Sequence, residues 1–191
     1  MRATSIALYP SALRALSALA VICVLAGCGA SGELRGDRYR DEEASYRIGE
    51  LGAGWERLNV DDQNDLAFLH REEGAIVQVN ATCDPYQDTP LTSLTNHLLI
   101  GFTDREIDSQ SLVPIDGREA LRTHLLASLD GVQRELLLYV LKKDECVYDF
   151  ALIARPGEPY SRVEPPFEAF VGAFRTSTGR GGGSSGGEAG R

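Results

Sequence analysis

The chain has 191 residues and a formal net charge of −9 at pH 7, with 28 Asp and Glu against 19 Lys and Arg. A nucleic-acid-binding surface or a polybasic lipid contact needs clustered Lys and Arg, so this acidic balance argues against both. The length fits one domain of ordinary size with terminal extensions.

The first 27 residues form a leader. It carries Arg2 and Arg14 and no acid, and the stretch from Ala15 to Gly27 is uncharged. This stretch is shorter than the roughly 20 apolar residues that span a bilayer core. A basic start, a short apolar core and small residues at its end are typical of a secretory signal peptide. A short membrane anchor, or a buried helix beside a chance cysteine, is the alternative interpretation.

The tetrad Leu25-Ala26-Gly27-Cys28 ends the leader and resembles the lipobox of bacterial lipoproteins. The resemblance implies that Cys28 becomes the first residue and carries the lipid. The protein is then anchored to a membrane of the bacterial cell envelope and faces the periplasm. Gly29 leaves the choice between inner and outer membrane open.

Composition divides the rest of the chain into three parts. Residues 28–43 are small and then densely charged, which predicts a lipid-anchored, flexible tether. Residues 177–191 are rich in Gly and Ser and predict a disordered tail. Residues 44–176 are left as one folded domain.

Alternating or continuous apolar patterns predict eight strands in this domain. Leu136–Leu141 is apolar at every position, so we expect this strand to be covered on both faces. The predicted strands are 45–50, 55–60, 66–71, 75–83, 111–115, 121–129, 136–141 and 146–154.

Apolar residues at helical spacing predict two helices. The first spans 90–103, with Thr89 as N-cap and Pro90 at its first position. Its apolar face comprises Leu91, Leu94, Leu98, Leu99 and Phe102. The second is short and follows Pro165-Pro166, with the buried face Phe167, Phe170, Val171 and Phe174. Strands in hairpin order with two helices indicate an α+β domain, an antiparallel sheet flanked by helices on both sides.

Three short motifs resemble the PsbP/DcrB-like family. They are Tyr46-Arg47-Ile48 ahead of Gly54-Trp55, the helix at 90–103, and Val147-Tyr148-Asp149 before the closing aromatic helix. The resemblance covers most of 44–176 and implies a PsbP-like α/β/α sandwich. It also implies a non-catalytic accessory or binding module, without catalytic residues to transfer.

Two cysteines, Cys83 and Cys146, remain after Cys28. An exported chain meets oxidants, so two thiols outside a Cys-x-x-Cys pair predict one disulfide between them. Because both lie at strand ends, we expect their Cα atoms within about 7 Å.

The titratable candidates are one acid and three histidines. Asp149 shares a strand face with apolar residues, which predicts a buried carboxyl that needs a partner such as an arginine or a helix N-terminus. A catalytic role is the less favoured interpretation. His70, His97 and His124 have no short ligand spacing, so solvated surface histidines are favoured over a shared zinc site. We expect no metal and no cofactor.

The sequence therefore favours a non-enzymatic envelope lipoprotein that acts as a membrane-tethered binding or assembly module with an envelope protein partner. Asn96, His97 and Ile100, on the outer side of the first helix, are the candidate partner surface. A carrier or sensor of a small or apolar ligand is the alternative. A hydrolase that uses Asp149 and a histidine ranks last.

Overall fold

The computed structural model describes residues 32–59, 64–84 and 88–177. These residues form eleven strands and two helices. The strands are β1 Glu33–Arg35, β2 Arg38–Arg40, β3 Ser45–Arg47, β4 Trp55–Leu58, β5 Leu66–His70, β6 Ala75–Cys83, β7 Phe102–Ile115, β8 Arg118–Leu129, β9 Val132–Lys143, β10 Cys146–Ala154 and β11 Arg175–Thr176. The helices are α1 Leu91–Leu98 and α2 Glu158–Gly172. Neither helix is long and apolar enough to cross a membrane.

The main sheet is antiparallel, with seven strands in the order β4-β5-β6-β10-β9-β8-β7. Strands β7 to β10 pair with one another as consecutive antiparallel hairpins, and β10 also pairs with β6. Strand β9 lies inside the sheet, and Leu136–Leu141 is buried throughout. The prediction that this strand is covered on both faces is confirmed. An antiparallel sheet with helices is also the predicted α+β class.

The two faces of this sheet pack differently. One face packs on α2 and contributes to the larger core cluster, which includes Phe150, Phe167, Phe170 and Phe174. The other face packs on α1 in a smaller cluster of Leu99, Leu125, Ala127, Leu136, Leu138 and Ala151. Because side chains alternate along a strand, β10 sends Tyr148 and Phe150 to the α2 core and keeps Asp149 on the α1 face.

A second sheet of four short strands, β1-β2-β3-β11, corrects the prediction of a flexible tether for residues 33–40, whereas residues 28–31 of that tether lie outside the described residues. Residues 33–40 form a hairpin paired to β3. The ring of Tyr39 is buried and stacks on Tyr46, with the ring centroids 4.9 Å apart. The hairpin is densely charged, but Leu34 and Tyr39 alternate with the charged residues. One side of the hairpin therefore packs on the core.

Helix α1 is shorter than predicted. It begins at Leu91 and ends at Leu98, with Pro90 rather than Thr89 at the N-cap. Gly101 adopts a left-handed φ of 93°, and Phe102 starts β7. A glycine in this conformation ends a helix readily because it lacks a Cβ, so the predicted continuation to residue 103 is wrong.

Helix α2 is longer than predicted and begins at Glu158, ahead of Pro165 and Pro166. Tyr160 and Val163 extend the buried face by two turns. On β8, Arg122 donates to Glu164 and Glu168 of this helix at 3.1 and 2.9 Å. The burial and the ion pairs offset the local cost of two internal prolines.

Candidate functional site

A cavity of about 200 Å³ lies between α1 and the main sheet. Its walls combine apolar side chains from three elements with a few polar ones. The lining residues are Thr82, Leu94, His97, Leu98, Val140, Val147 and Asp149. The cavity therefore brings together two of the residues that the sequence singled out, His97 and Asp149.

Asp149 is the charged group of this cavity. It lies opposite Asn80 in the register of β6 and β10, and the Asn80 amide donates to Asp149 Oδ1 at 3.0 Å. Burial raises the pKa of this carboxyl to about 6, although the hydrogen bond from Asn80 acts in the opposite direction. Among the described residues, no side chain or backbone group donates to Asp149 Oδ2. The sequence predicted a partner such as an arginine or a helix N-terminus, and the structure supplies the amide of Asn80 instead of either example.

Asn80 also links Asp149 to a second acid, Asp65. The backbone N–H of Asp65 donates to Asn80 Oδ1 at 3.3 Å. Asp65 Oδ2 accepts from the hydroxyl of Tyr46 at 2.9 Å and from the N–H of Ala81 at 3.0 Å. Burial raises the pKa of Asp65 to about 6 against the effect of these donors. Asn80 is thus held from both sides, which fixes the amide that faces Asp149.

The disulfide between Cys83 and Cys146 joins the two strands that carry Asn80 and Asp149. The two sulfurs are bonded, and the Cα atoms lie 3.9 Å apart. The predicted pairing is confirmed. The two cysteines are directly opposite in the β6–β10 register, and three residues further along each strand the same register opposes Asn80 to Asp149. The disulfide therefore links β6 and β10, the two strands that place Asn80 opposite Asp149.

His97 and Thr82 line the cavity without forming a catalytic arrangement. Within residues 32–59, 64–84 and 88–177, neither side chain has a hydrogen bond to the other or to Asp149. Nucleophilic catalysis by a hydroxyl needs a base within hydrogen-bond reach, and that base needs an orienting group. In the described part of the chain, this cavity therefore holds a largely buried acceptor rather than a triad.

The three histidines lie apart. His70 packs edge-on against Trp55 and accepts from the N–H of Glu73 at 3.4 Å. His124 lies under α2, where its ring nitrogens approach Asp108 and Glu135 at 3.1 and 2.9 Å. This correction replaces the predicted solvated His124 with a packed one. In the part of the chain that the structure describes, no cluster of three or more His, Cys, Asp or Glu could hold a metal ion.

The predicted partner surface on α1 is exposed. Asn96 and His97 lie on its solvent side, and 74% of Ile100 is accessible. Val132, also exposed, lies at the same end of the sheet, since Leu129 pairs with both Phe102 and Val132. Whether these residues bind a partner stays a prediction. Cys28, the proposed lipidation site, lies outside the described residues.

A larger cleft of about 560 Å³ lies elsewhere, where the loop 48–54 meets the C-terminal half of α2. Its apolar wall combines aliphatic side chains with three aromatic ones, and Arg57 and Glu50 also line it. The aromatic residues are Trp55, Phe68 and Phe170. The sequence did not indicate this cleft, because its walls come from segments that are far apart along the chain.

Several solved structures are similar to this fold. Cyanobacterial PsbP (CyanoP) from Synechocystis sp. PCC 6803 has a TM-score of 0.55 at 19% identity, over 79% of this chain and 96% of that one. LpqN, involved in cell envelope biogenesis of Mycobacterium tuberculosis, has a TM-score of 0.50 at 11% identity, over 70% and 85%. A Bacteroides thetaiotaomicron protein has a TM-score of 0.51 at 10% identity, over 70% and 46%. No protein-family model and no curated protein matches the sequence.

At these identities the likeness defines the fold, which is PsbP-like, as the sequence motifs predicted. Function lives in sites that are grafted on folds and does not follow from the fold alone. The cavity under α1, the exposed α1 surface and the aromatic cleft are therefore the features from which a function is argued.

Proposed function

We propose that the protein is a non-enzymatic, lipid-anchored binding or assembly module of the bacterial cell envelope. The observation that carries the proposal is the α1 side of the domain, where Ile100 is exposed and the recess under α1 holds a largely buried acceptor and, among the described residues, no catalytic contact pair. The disulfide suits an exported protein. The structural likeness to LpqN, a protein of cell envelope biogenesis, supports the same compartment.

The binding role is tested by capture of partners from the native membranes. Ile100→Glu combined with His97→Glu places two negative charges on the exposed side of α1 and should weaken capture without unfolding the domain. Leu112→Glu is the matched control, because Leu112 is also an exposed apolar residue, but it lies on β7 rather than on α1. Deletion of residues 177–191 should leave capture intact. Normal capture by the α1 variant, or loss with the tail deletion alone, contradicts the surface assignment.

The lipid anchor is tested at Cys28. Cys28→Ala should leave the leader uncleaved at this position and abolish metabolic labelling with a palmitate analogue, because the thiol that receives the lipid is gone. Cys23→Ala, a change within the leader, is the matched control and should label and mature normally. Normal labelling and maturation of the Cys28 variant would refute the lipoprotein interpretation.

A carrier of a small apolar ligand is the second candidate, and the aromatic cleft favours it. Its volume of about 560 Å³ lies in the range that ligand pockets occupy. Trp55 is the only tryptophan of the chain and lines the cleft, so its fluorescence reports on occupancy. Saturable energy transfer from Trp55 to 8-anilinonaphthalene-1-sulfonate, lost in Ala53→Phe, would support this function. Transfer that does not saturate, or that survives in Ala53→Phe, would refute it.

A further inference from the structure

Only one of the two carboxylate oxygens of Asp149 accepts a hydrogen bond from the described residues. Oδ1 accepts from the amide of Asn80, while no described residue donates to Oδ2. A largely buried carboxylate costs free energy unless it is paired and hydrogen-bonded. The side chain lines the cavity under α1, so a ligand in that cavity can supply the missing donor.

We propose that the cavity under α1 binds an alkylammonium group, with the ammonium donating to Asp149 and the methylenes against the apolar wall. This inference rests on the proposed binding role and names the chemistry that the α1 side recognises. The apolar wall consists of Leu94, Leu98, Val140 and Val147.

The size of the cavity suits a short alkyl chain. A cavity of about 150 Å³ holds a benzene molecule. The cavity under α1, at about 200 Å³, therefore has room for four methylenes and an ammonium group. This is the length of a lysine side chain, whose stem is apolar and whose head carries three hydrogen-bond donors.

The acceptors of the cavity favour an ammonium over a guanidinium. A guanidinium binds a carboxylate best as a fork, with one N–H to each oxygen. Here Asn80 already donates to Oδ1 of Asp149, so a fork would have to share that oxygen, whereas no described residue donates to Oδ2. An ammonium donates to single acceptors, and the hydroxyl of Thr82 lines the same cavity as a further acceptor.

The binding test is an NMR titration of the ¹⁵N-labelled protein, purified from its own membranes in a neutral detergent, with n-butylammonium chloride at pH 7.5. We expect saturable shifts at the amides of Leu98, Val147 and Asp149, with a Kd of about 1 mM. 1-Butanol and n-butylguanidinium should bind at least about tenfold more weakly, since each lacks one element of the fit. Equal binding of 1-butanol, or the lack of saturable shifts with n-butylammonium well above that concentration, overturns the proposal.

Asp149→Asn should weaken n-butylammonium binding at least about tenfold, because it keeps the shape and the Asn80 contact but removes the charge. Asp130→Asn, in the β8–β9 turn with a left-handed φ of 51°, is the matched control and should bind normally. If Asp149→Asn binds as the wild type does, the assignment of the ammonium to Asp149 is wrong.

Binding should also weaken below about pH 6, as Asp149 takes up a proton. His97 on α1 and Asp65 behind Asn80 are the other titratable groups near the site. The pH dependence of binding is also measured with the Asp149→Asn protein, which retains His97 and Asp65, and is compared with that of the wild type. If the wild type shows no more loss on acidification than this variant, the titrating group is not Asp149 and the proposal fails.

A final arm separates the two sources of the group. Nα-acetyl-lysine-N-methylamide that binds at least as tightly as n-butylammonium indicates a lysine of a protein partner, and weaker binding indicates a free alkylamine. Both results support the cavity's chemistry. If neither amine binds while Ile100→Glu with His97→Glu still abolishes partner capture, the inference fails and the proposed function stands.

Discussion

The two faces of the main sheet are built from the same strands but differ in how they are packed. The α2 face contributes to a large core cluster rich in aromatic side chains and is covered by a 15-residue helix. The α1 face has a helix of 8 residues, a smaller apolar cluster and a cavity with a largely buried acid. Since a buried carboxyl destabilises the fold when it ionises, the α1 face does not maximise stability. The difference teaches that the α2 face secures the fold and that the α1 face is free to carry function.

The comparison predicts its largest difference for truncations in the two cores. Phe167→Ala removes a fully buried ring on the α2 face and should lower the free energy of unfolding by about 3–5 kcal/mol. Leu98→Ala, at the partly buried edge of the α1 cluster, should cost about 2 kcal/mol or less. Urea unfolding measures both values. Equal losses would break the distinction between the faces.

The disulfide sharpens the comparison, because it joins the two strands that carry Asp149 and Asn80. Replacement of Cys83 and Cys146 by Ser should lower the free energy of unfolding by about 4 kcal/mol, since the bond closes a long loop in the unfolded chain. Unfolding with and without reductant gives the measurement, and the double variant should show no effect of reductant. Two free thiols in the exported protein, found by mass spectrometry, would contradict the bond itself.

Exposed apolar positions should give the smallest change in stability. Ile100→Glu and Leu112→Glu should each change the free energy of unfolding by less than about 0.5 kcal/mol, because 74% and 55% of these side chains are already in water. Thermal unfolding provides the readout. A much larger loss for Ile100→Glu would mean that this residue belongs to the α1 core rather than to a binding surface.

Periodicity was sufficient to predict much of the fold. The β6 strand, Ala75–Cys83, has the predicted ends, because its alternation is uninterrupted and Asp84 follows it. The N-terminal hairpin was missed because its few apolar residues gain stability only by packing on distant partners, as Tyr39 does on Tyr46. The start of α2 was missed because Pro165 and Pro166 weaken the local helical signal.

The candidate site was predicted in part. The burial of Asp149 follows from its apolar strand neighbours, and the disulfide follows from cysteine count and compartment. The contact with Asn80 depends on the register between β6 and β10, which neither strand specifies by itself. A disulfide between Cys83 and Cys146, taken as a register mark, would have placed Asn80 opposite Asp149. This was the signal available in the sequence.

The central claim is that the α1 face keeps an acid that costs stability. Burial raises the folded-state pKa of Asp149 to about 6, above the roughly 3.9 of an unfolded chain. A raised pKa means that the folded state binds the proton more tightly. This stabilising contribution is therefore complete below about pH 4 and is lost as the pH rises through 6.

The most direct test is the difference in the free energy of unfolding between Asp149→Asn and the wild type, measured at pH 4 and at pH 7.5. Asn keeps the side-chain shape and can still accept from Asn80, and it does not titrate. Asp65 is present in both proteins, so its own titration largely cancels in the difference. We predict little difference at pH 4 and an advantage of about 1–3 kcal/mol for the variant at pH 7.5. A variant that is no more stable than the wild type at pH 7.5 would contradict the account.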